Sequence, residues 1–236
     1  MTEELFRADS YAKTCEAVVT AVSPLGVELD RTVFYAEGGG QPGDSGVFRL
    51  ADGRMFAVAD TRKGSTPGQI LHVPGADAPA IEVGARLVAE IDWARRYRLM
   101  RMHSCLHVIC SIVPAQITGA GIGEGKGRID FSLPEQTIDK DAIGETLERL
   151  IAANHPLTAR WITDDELAAR PELVRTMSVK PPTGQGRVRL IEIEGVDLQP
   201  CGGTHLRSTG EIGRVRLGKI ENKGRHNRRI NLAFED

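Results

Sequence analysis

The chain has 236 residues, of which 41% are hydrophobic and 26% charged, and its net charge is −2. Such values describe an ordinary globular protein of one large or two modest domains, and they exclude a global electrostatic drive onto nucleic acid, so any such contact must come from local patches. The acidic, polar start MTEELFRADS lacks the basic-then-apolar order of an export signal, so a cytoplasmic location with no membrane partner is the expectation.

The first ninety or so residues break often and carry Val, Ile and Leu in short runs. Ala17–Val22, Val27–Leu29, Thr32–Tyr35 and Arg86–Ile91 read as strands. Thr61–Gly68 and Val73–Gly84 read as loops. With no helical period among them, a small β-barrel domain over residues 1–91 is predicted. Asp92 then offers a helix N-cap and Pro114 a stop. Between them Leu99, Met102, Leu106, Ile109 and Val113 step by 3, 4, 3 and 4, the spacing of one apolar face. His103 and His107 follow Met102 and Leu106 by one position, which predicts both imidazoles at the edge of that stripe. Met102 to Gly123 holds no Asp, Glu, Lys or Arg, yet its His, Gly, Ser and Pro residues make a poor membrane span.

A second helix is predicted from about Asp139 to Asn154, with Ile143, Leu147, Leu150 and Ile151 on one side, and a short one over Asp164–Ala169. Arg187–Glu194, Gly213–Ile220 and Arg229–Phe234 read as strands. The predicted fold class is α+β: the N-terminal small β-barrel, then an α+β domain over 92–236 with helices packed on an antiparallel sheet. Four cysteines in a chain this long do not make a disulfide framework, and Cys15, Cys105 and Cys110 read as small buried hydrophobes.

Two segments share an i, i+4 spacing: HSCLH (His103–His107) and CGGTH (Cys201–His205). Residues four apart on a helix lie one turn apart on one face and can share an ion. Three imidazoles and a thiolate suit borderline-soft Zn²⁺. Metalloproteases with the same His spacing place Glu directly after the first His as general base. Here Ser104 and then Cys105 follow, so that reading loses its base. The ligand set is equally compatible with a closed structural site of four residues and with three ligands beside a water.

Two basic clusters lie close in sequence to these motifs. Arg95, Arg96, Arg98 and Arg101 decorate the histidine helix, and Lys219, Lys223, Arg225, Arg228 and Arg229 follow the CGGTH turn with only Glu221 opposing them. Phosphate contact needs such local positive charge, which makes Arg96, Arg101, Lys219, Lys223, Arg225, Arg228 and Arg229 the candidates for RNA binding.

CGGTHLRSTGEIG (Cys201–Gly213), followed by KIENKGRHNRRI (Lys219–Ile230), resembles the editing domain of alanyl-tRNA synthetases, and more closely the freestanding alanyl-tRNA editing proteins of the AlaX family. RMHSCLHVI (Arg101–Ile109) resembles that family's first zinc motif, more usually HTAxH, with Ser and Cys in place of Thr and Ala. FYAEGGGQPGDSG (Phe34–Gly46) resembles the glycine-rich motif of the longer members. The threonyl-tRNA synthetase editing domain shares the two metal pairs but lacks the glycine-rich block. The three matches span most of the chain. They imply hydrolysis of the ester on alanine tRNA mischarged with serine, with the glycyl ester left open. They also imply one Zn²⁺ at the positions of His103, His107, Cys201 and His205.

An aminoacyl ester is already activated, so orientation and delivery of water are the main requirements. Backbone amides of Gly202 and Gly203 are candidates for stabilising a developing oxyanion, since glycine lets backbone approach a ligand closely. The other reading of these glycines is a turn that aims Cys201 and His205. Thr204, Ser104 and the block Gly38, Gly39, Gly40 and Gln41 are candidates for contacting the substrate's hydroxyl, and the resemblance favours the glycine-rich block, packed across the domain interface against the zinc site. Composition alone would read that block as a tight hairpin with a loop. Rival functions are an editing esterase for another aminoacyl-tRNA, as in threonyl-type editing, and a non-catalytic RNA- or synthetase-binding module with a structural zinc. No G-x-x-x-x-G-K-[ST] loop is present, so ATP is not an expected partner.

Overall fold

The computed structural model describes residues 1–133, 138–177 and 186–235, and the chain separates into two compact units. The first comprises residues 1–38 and 42–97; the second comprises residues 39–41 and 98–236. The boundary falls inside one helix, and three residues of the glycine-rich block cluster with the second unit.

The first unit contains strands β1 (Glu3–Glu4), β2 (Thr14–Ser23), β3 (Gly26–Leu29), β4 (Arg31–Thr32), β5 (Gly46–Leu50), β6 (Met55–Lys63), β7 (Ile70–Pro74) and β8 (Arg86–Ile91). Six of these close a barrel in the order β2-β3-β7-β6-β5-β8, and β1 pairs with β4 in parallel. Alternation explains the barrel: in β8, Leu87, Ala89 and Ile91 are buried and the residues between them are not, so one face lines the core. Val19, Leu29, Phe48, Phe56 and Val58 join them. Phe34 meets Phe48 edge-on at 5.7 Å between centroids.

The barrel prediction holds, but its strands extend beyond those read from sequence. β5, β6 and β7 were not separately anticipated; β6 runs through Lys63 into the expected loop at Thr61–Gly68, and β7 takes in Val73 and Pro74 from the other. The expected strand Thr32–Tyr35 stops at Thr32 because side chains capture its backbone. The Phe34 N–H donates to Thr32 Oγ1 at 3.0 Å, the Tyr35 N–H donates to the Asp44 carboxylate, and the Val33 carbonyl accepts from Arg96.

Arg96 is also a correction. It was expected among the phosphate-binding arginines, yet it is fully buried, with its guanidinium on the Asp44 carboxylate, on Val33 O at 2.7 Å and on Ser10 O at 3.0 Å. A buried ion pair stripped of one partner leaves an uncompensated charge, so Arg96 holds the barrel unit together and is not available to RNA.

Helix α1 (Trp93–Ile112) begins where Asp92 accepts the Arg95 N–H at 3.1 Å. The second unit continues with β9 (Gln116–Ile122), β10 (Lys126–Ser132), α2 (Lys140–Ala152), β11 (Leu157–Thr163), α3 (Asp164–Ala168), β12 (Arg187–Ile193), β13 (Asp197–Pro200), β14 (Val215–Asn222) and β15 (Asn227–Phe234). These strands form a four-stranded antiparallel sheet, β14-β15-β10-β9, and a three-stranded one, β11-β12-β13. The fold class is α+β. Asp139 caps α2 through the N–H groups of Asp141 and Ala142. A Cβ at Gly127 of β10 would stand 2.7 Å from Met102 Cγ, so this glycine lets α1 lie directly on the sheet.

The expected one-sided stripe on α1 is the second correction. Every residue from Met102 to Cys110 is buried, so the helix is enclosed on all faces and the histidines lie inside, not at an edge. The absence of charge from Met102 onward is the sequence counterpart of that enclosure. Among the described residues no helix is long and apolar enough to cross a membrane.

His72 sits inside the barrel with Nδ1 2.9 Å from Val27 O and Nε2 2.8 Å from Thr32 Oγ1. A carbonyl can only accept, so Nδ1 carries the proton and Nε2 accepts from the threonine. Burial pushes this imidazole down from 6.5 to about 4. Because the unfolded chain takes up the proton first, stability is fully present above pH 6.5 and is lost as pH falls toward 4, by about 3 kcal/mol in the limit. Urea unfolding at pH 7 and pH 5 should show His72→Asn starting less stable than wild type but losing less between the two pH values. Equal losses would overturn this assignment.

Candidate metal centre

The second unit brings HSCLH and CGGTH together. His103 and His107 project from α1 one turn apart, with ring centroids 5.1 Å apart. Cys201 directly follows β13, where Pro200 ends the strand, and His205 lies four residues on. His205 is 4.2 Å from His103 and 4.6 Å from His107 between ring centroids. Cys201 Sγ is 3.5 Å from His103 Nε2 and 3.2 Å from His205 Nε2. One donor atom from each of the four residues lies within 4.8 Å of all the others. Such an arrangement could hold a metal ion.

Neighbouring side chains fix how the rings point. His103 Nδ1 is 2.8 Å from Gln41 Oε1, an acceptor, so the Nδ1–H donates there and the lone pair of Nε2 faces the cluster. His205 Nδ1 is 3.2 Å from Ser104 Oγ, which also accepts the Leu206 N–H at 3.1 Å. Gln41 is itself anchored: its Nε2 donates to Thr204 Oγ1 at 2.8 Å, and its Oε1 accepts the Thr204 N–H at 3.2 Å. Hydrogen bonds of this kind behind a ligand orient it and set its tautomer. Gln199 Nε2 donates to the His107 carbonyl at 3.0 Å.

All three imidazoles are held well below their ordinary range. For each of them burial is the main cause; His107 falls to about 4, His103 is lowered further by His107, and His205 by His103 and His107. Each is therefore neutral at physiological pH, the form that binds metals. Cys105 and Cys110 are buried and pushed up to about 12, which leaves them protonated and inert, as expected of small hydrophobes.

The other residues singled out in the sequence fall in different places. The Gly203 N–H donates to Cys201 Sγ at 3.4 Å, so this amide is directed at the sulfur and not at a substrate oxyanion. A Cβ on Gly203 would stand 2.7 Å from His103 Nδ1, so the residue's small size is what lets the turn close onto the ring. Gly202 is half-buried beside Cys201. Thr204 and Ser104 are fully buried and hydrogen-bonded to Gln41 and His205, so they support the cluster's side chains from within the protein. Gly39 and Gly40 are exposed, both with positive φ, and the Gly40 carbonyl accepts the Ile122 N–H from β9 at 2.9 Å. Gly38 belongs to the first unit, where its carbonyl accepts from the Tyr35 hydroxyl.

Of the basic residues in this unit, Lys219 and Arg225 are exposed on β14 and the β14–β15 hairpin. Arg101 donates to Ile212 O at 2.9 Å and lies 4.1 Å over the Phe234 ring. Arg229 grips both oxygens of Asp130, Lys223 pairs with Glu221, and Arg228 is half-buried against Asn227 O. Sequence reasoning did not single out Arg189. Its signal was available: it shares a face of β12 with Ile191 and Ile193, where an apolar residue is the norm.

Comparison with known proteins agrees with this geometry. Residues 188–231 match the model of the threonyl and alanyl tRNA synthetase second additional domain, and residues 5–95 match that of class II (A) tRNA synthetases. The chain is 40% identical over its full length to an alanyl-tRNA editing protein AlaX-M of Methanosarcina acetivorans, itself covered in full. It is 34% identical to another from Saccharolobus solfataricus, with 98% of each chain covered. An alanine–tRNA ligase of Pyrobaculum neutrophilum is 35% identical over 93% of this chain, which spans 25% of that enzyme. The chain belongs to the family of AlaX alanyl-tRNA editing proteins.

Proposed function

We propose that this protein is a zinc-dependent deacylase that acts in trans on alanine tRNA mischarged with serine, with its chemistry carried by residues 92–236. The observation that carries the reading is the four-residue cluster whose donor atoms lie within 4.8 Å of one another, in a chain of this family. The donor set fits Zn²⁺: three neutral imidazoles and one thiol, with His107 Nδ1 buried and lacking a hydrogen-bond partner among the described residues. When bound, the ion supplies Lewis acidity toward an ester carbonyl and can lower the pKa of a water toward about 7. The chain's own residues do the orienting. Gln41 holds His103, Ser104 holds His205, and the Gly203 amide steadies the Cys201 sulfur.

Choosing serine over alanine is easier for an editing site than for a synthetic one. A pocket built for alanine rejects an added hydroxyl poorly, whereas a site with a polar group placed for that hydroxyl is left unpaired by alanine. Gly39 and Gly40 are exposed, and with Gln41 they join the metal cluster in the second unit, which supports a discriminating role for this segment. Lys219 and Arg225, exposed on the same unit, are the cations we assign to the tRNA backbone.

Elemental analysis of the purified protein should find one zinc per chain. Seryl ester on alanine tRNA should be hydrolysed much faster than the alanyl ester, and Cys201→Ala should lower both zinc content and rate at least about tenfold. A Cys201→Ala protein with full metal and full activity refutes the zinc-centred reading; metal without any hydrolysis in the wild type favours a structural module. Gly203→Ala should push His103 aside and weaken metal binding by about tenfold or more, as read by competition with a chelator. A bulky residue at Gly39 or Gly40 should change the ratio of seryl to alanyl hydrolysis; a change in melting temperature alone would assign these glycines to the turn.

A further inference from the structure

Arg189 of β12 is 5% exposed, a guanidinium buried beneath the Cys201–His205 turn. Its Nη1 donates to Cys201 O at 3.1 Å and to Gly203 O at 2.8 Å, and its own carbonyl accepts the Cys201 N–H at 3.0 Å. One residue therefore holds the Cys201 backbone on both sides. The next step follows from peptide geometry. The C=O and N–H of a trans peptide point in opposite directions, so a Gly203 carbonyl turned toward Arg189 aims the Thr204 N–H away from it. That N–H donates to Gln41 Oε1, the same atom that accepts from His103 Nδ1. An unbroken hydrogen-bonded path thus runs from the Arg189 guanidinium through the Gly203–Thr204 peptide and Gln41 to an imidazole on α1.

We propose that Arg189 is a positioning residue for the metal centre. It sets the turn so that Cys201 Sγ and His205 Nε2 face the imidazoles of α1, and through the Gln41 bridge it fixes His103. The inference rests on the metal reading above. An electrostatic benefit to the ion is not the reason for this placement. A guanidinium stays charged, and a positive charge beside the cluster opposes a bound cation, as it opposes protonation of His103, His107 and His205. The contribution of Arg189 is geometric: donors at a fixed place for two carbonyls of the ligand turn.

The test uses the full chain loaded with Co²⁺ in place of zinc, reading the thiolate-to-metal absorption band and the affinity in competition with a chelator. Arg189→Met should weaken Co²⁺ binding by about 10- to 100-fold and diminish the thiolate band. Arg189→Lys, which can still donate to both carbonyls, should recover part of each. Unfolding of the metal-free proteins is measured alongside. An Arg189→Met protein with wild-type affinity and band overturns the proposal, whatever its melting temperature, because it would show a purely structural arginine. Should Arg189→Met fail to fold, Arg189→Gln, polar but two bonds too short to place a donor where Nη1 stands, takes its place under the same criterion. A wild-type chain that takes up no Co²⁺ overturns the metal reading itself, and this proposal with it, without reference to any variant.

Discussion

Three imidazoles within a few ångströms of one another oppose each other's protonation, and burial in the second unit disfavours the charged forms further. Enclosure of α1 from Met102 to Cys110 strips hydration from His103 and His107, and the CGGTH turn covers His205 in the same way. Desolvation then disfavours the protonated form of each ring. The uncharged rings keep lone pairs, and hydrogen bonds decide where those lone pairs point. Gln41 and Ser104 each engage an Nδ1, so the Nε2 atoms of His103 and His205 are the ones that meet at Cys201 Sγ. Burial, tautomer and convergence are therefore one constraint at three levels.

What the sequence revealed follows the range of each interaction. The i, i+4 pairs were legible because helix and turn geometry is local: spacing alone puts His103 and His107 one turn apart, and the charge-free run beyond Met102 marks a buried segment. Pairing the two motifs with each other rested on donor chemistry suited to one zinc and on the family resemblance, since nothing local joins residues about a hundred positions apart. Periodicity misled over how α1 is buried, because a 3-4 stripe looks the same on a half-buried and a fully enclosed helix when the remaining positions are Ser, Cys, His and Val. Counting charges misled for Arg96, whose neutralising partner Asp44 lies within the glycine-rich block and is 52 residues away. Ser104 and Thr204 read as substrate contacts because a hydroxyl near a metal motif carries no sign of which way it faces.

The two buried arginines show how different partners turn the same residue to different work. Arg96 meets a carboxylate, so its charge is cancelled, and the irregular segment from Val33 to Tyr35 keeps its backbone satisfied through Arg96 and Asp44 in place of a strand partner. Arg189 donates to the backbone carbonyls of Cys201 and Gly203 in the turn that carries Cys201 and His205. Its charge also contributes to the depressed basicity of all three histidines. One arginine organises a segment of the barrel unit; the other holds the turn that carries Cys201 and His205.

The residue type at Gln41 completes this logic. A carboxylate in its place could accept from His103 and from the Thr204 amide, but it would favour the imidazolium and add negative charge behind the ring. The amide accepts from both through Oε1 while donating through Nε2 to Thr204 Oγ1, and it leaves the cluster's charge untouched. With three neutral rings and a single thiol, the ligand set can carry no more than one negative charge. A divalent ion held there would keep a net positive charge, with which it could polarise an ester carbonyl. A neutral residue behind His103 would thus preserve the electrophilic character of a bound ion that a carboxylate would diminish.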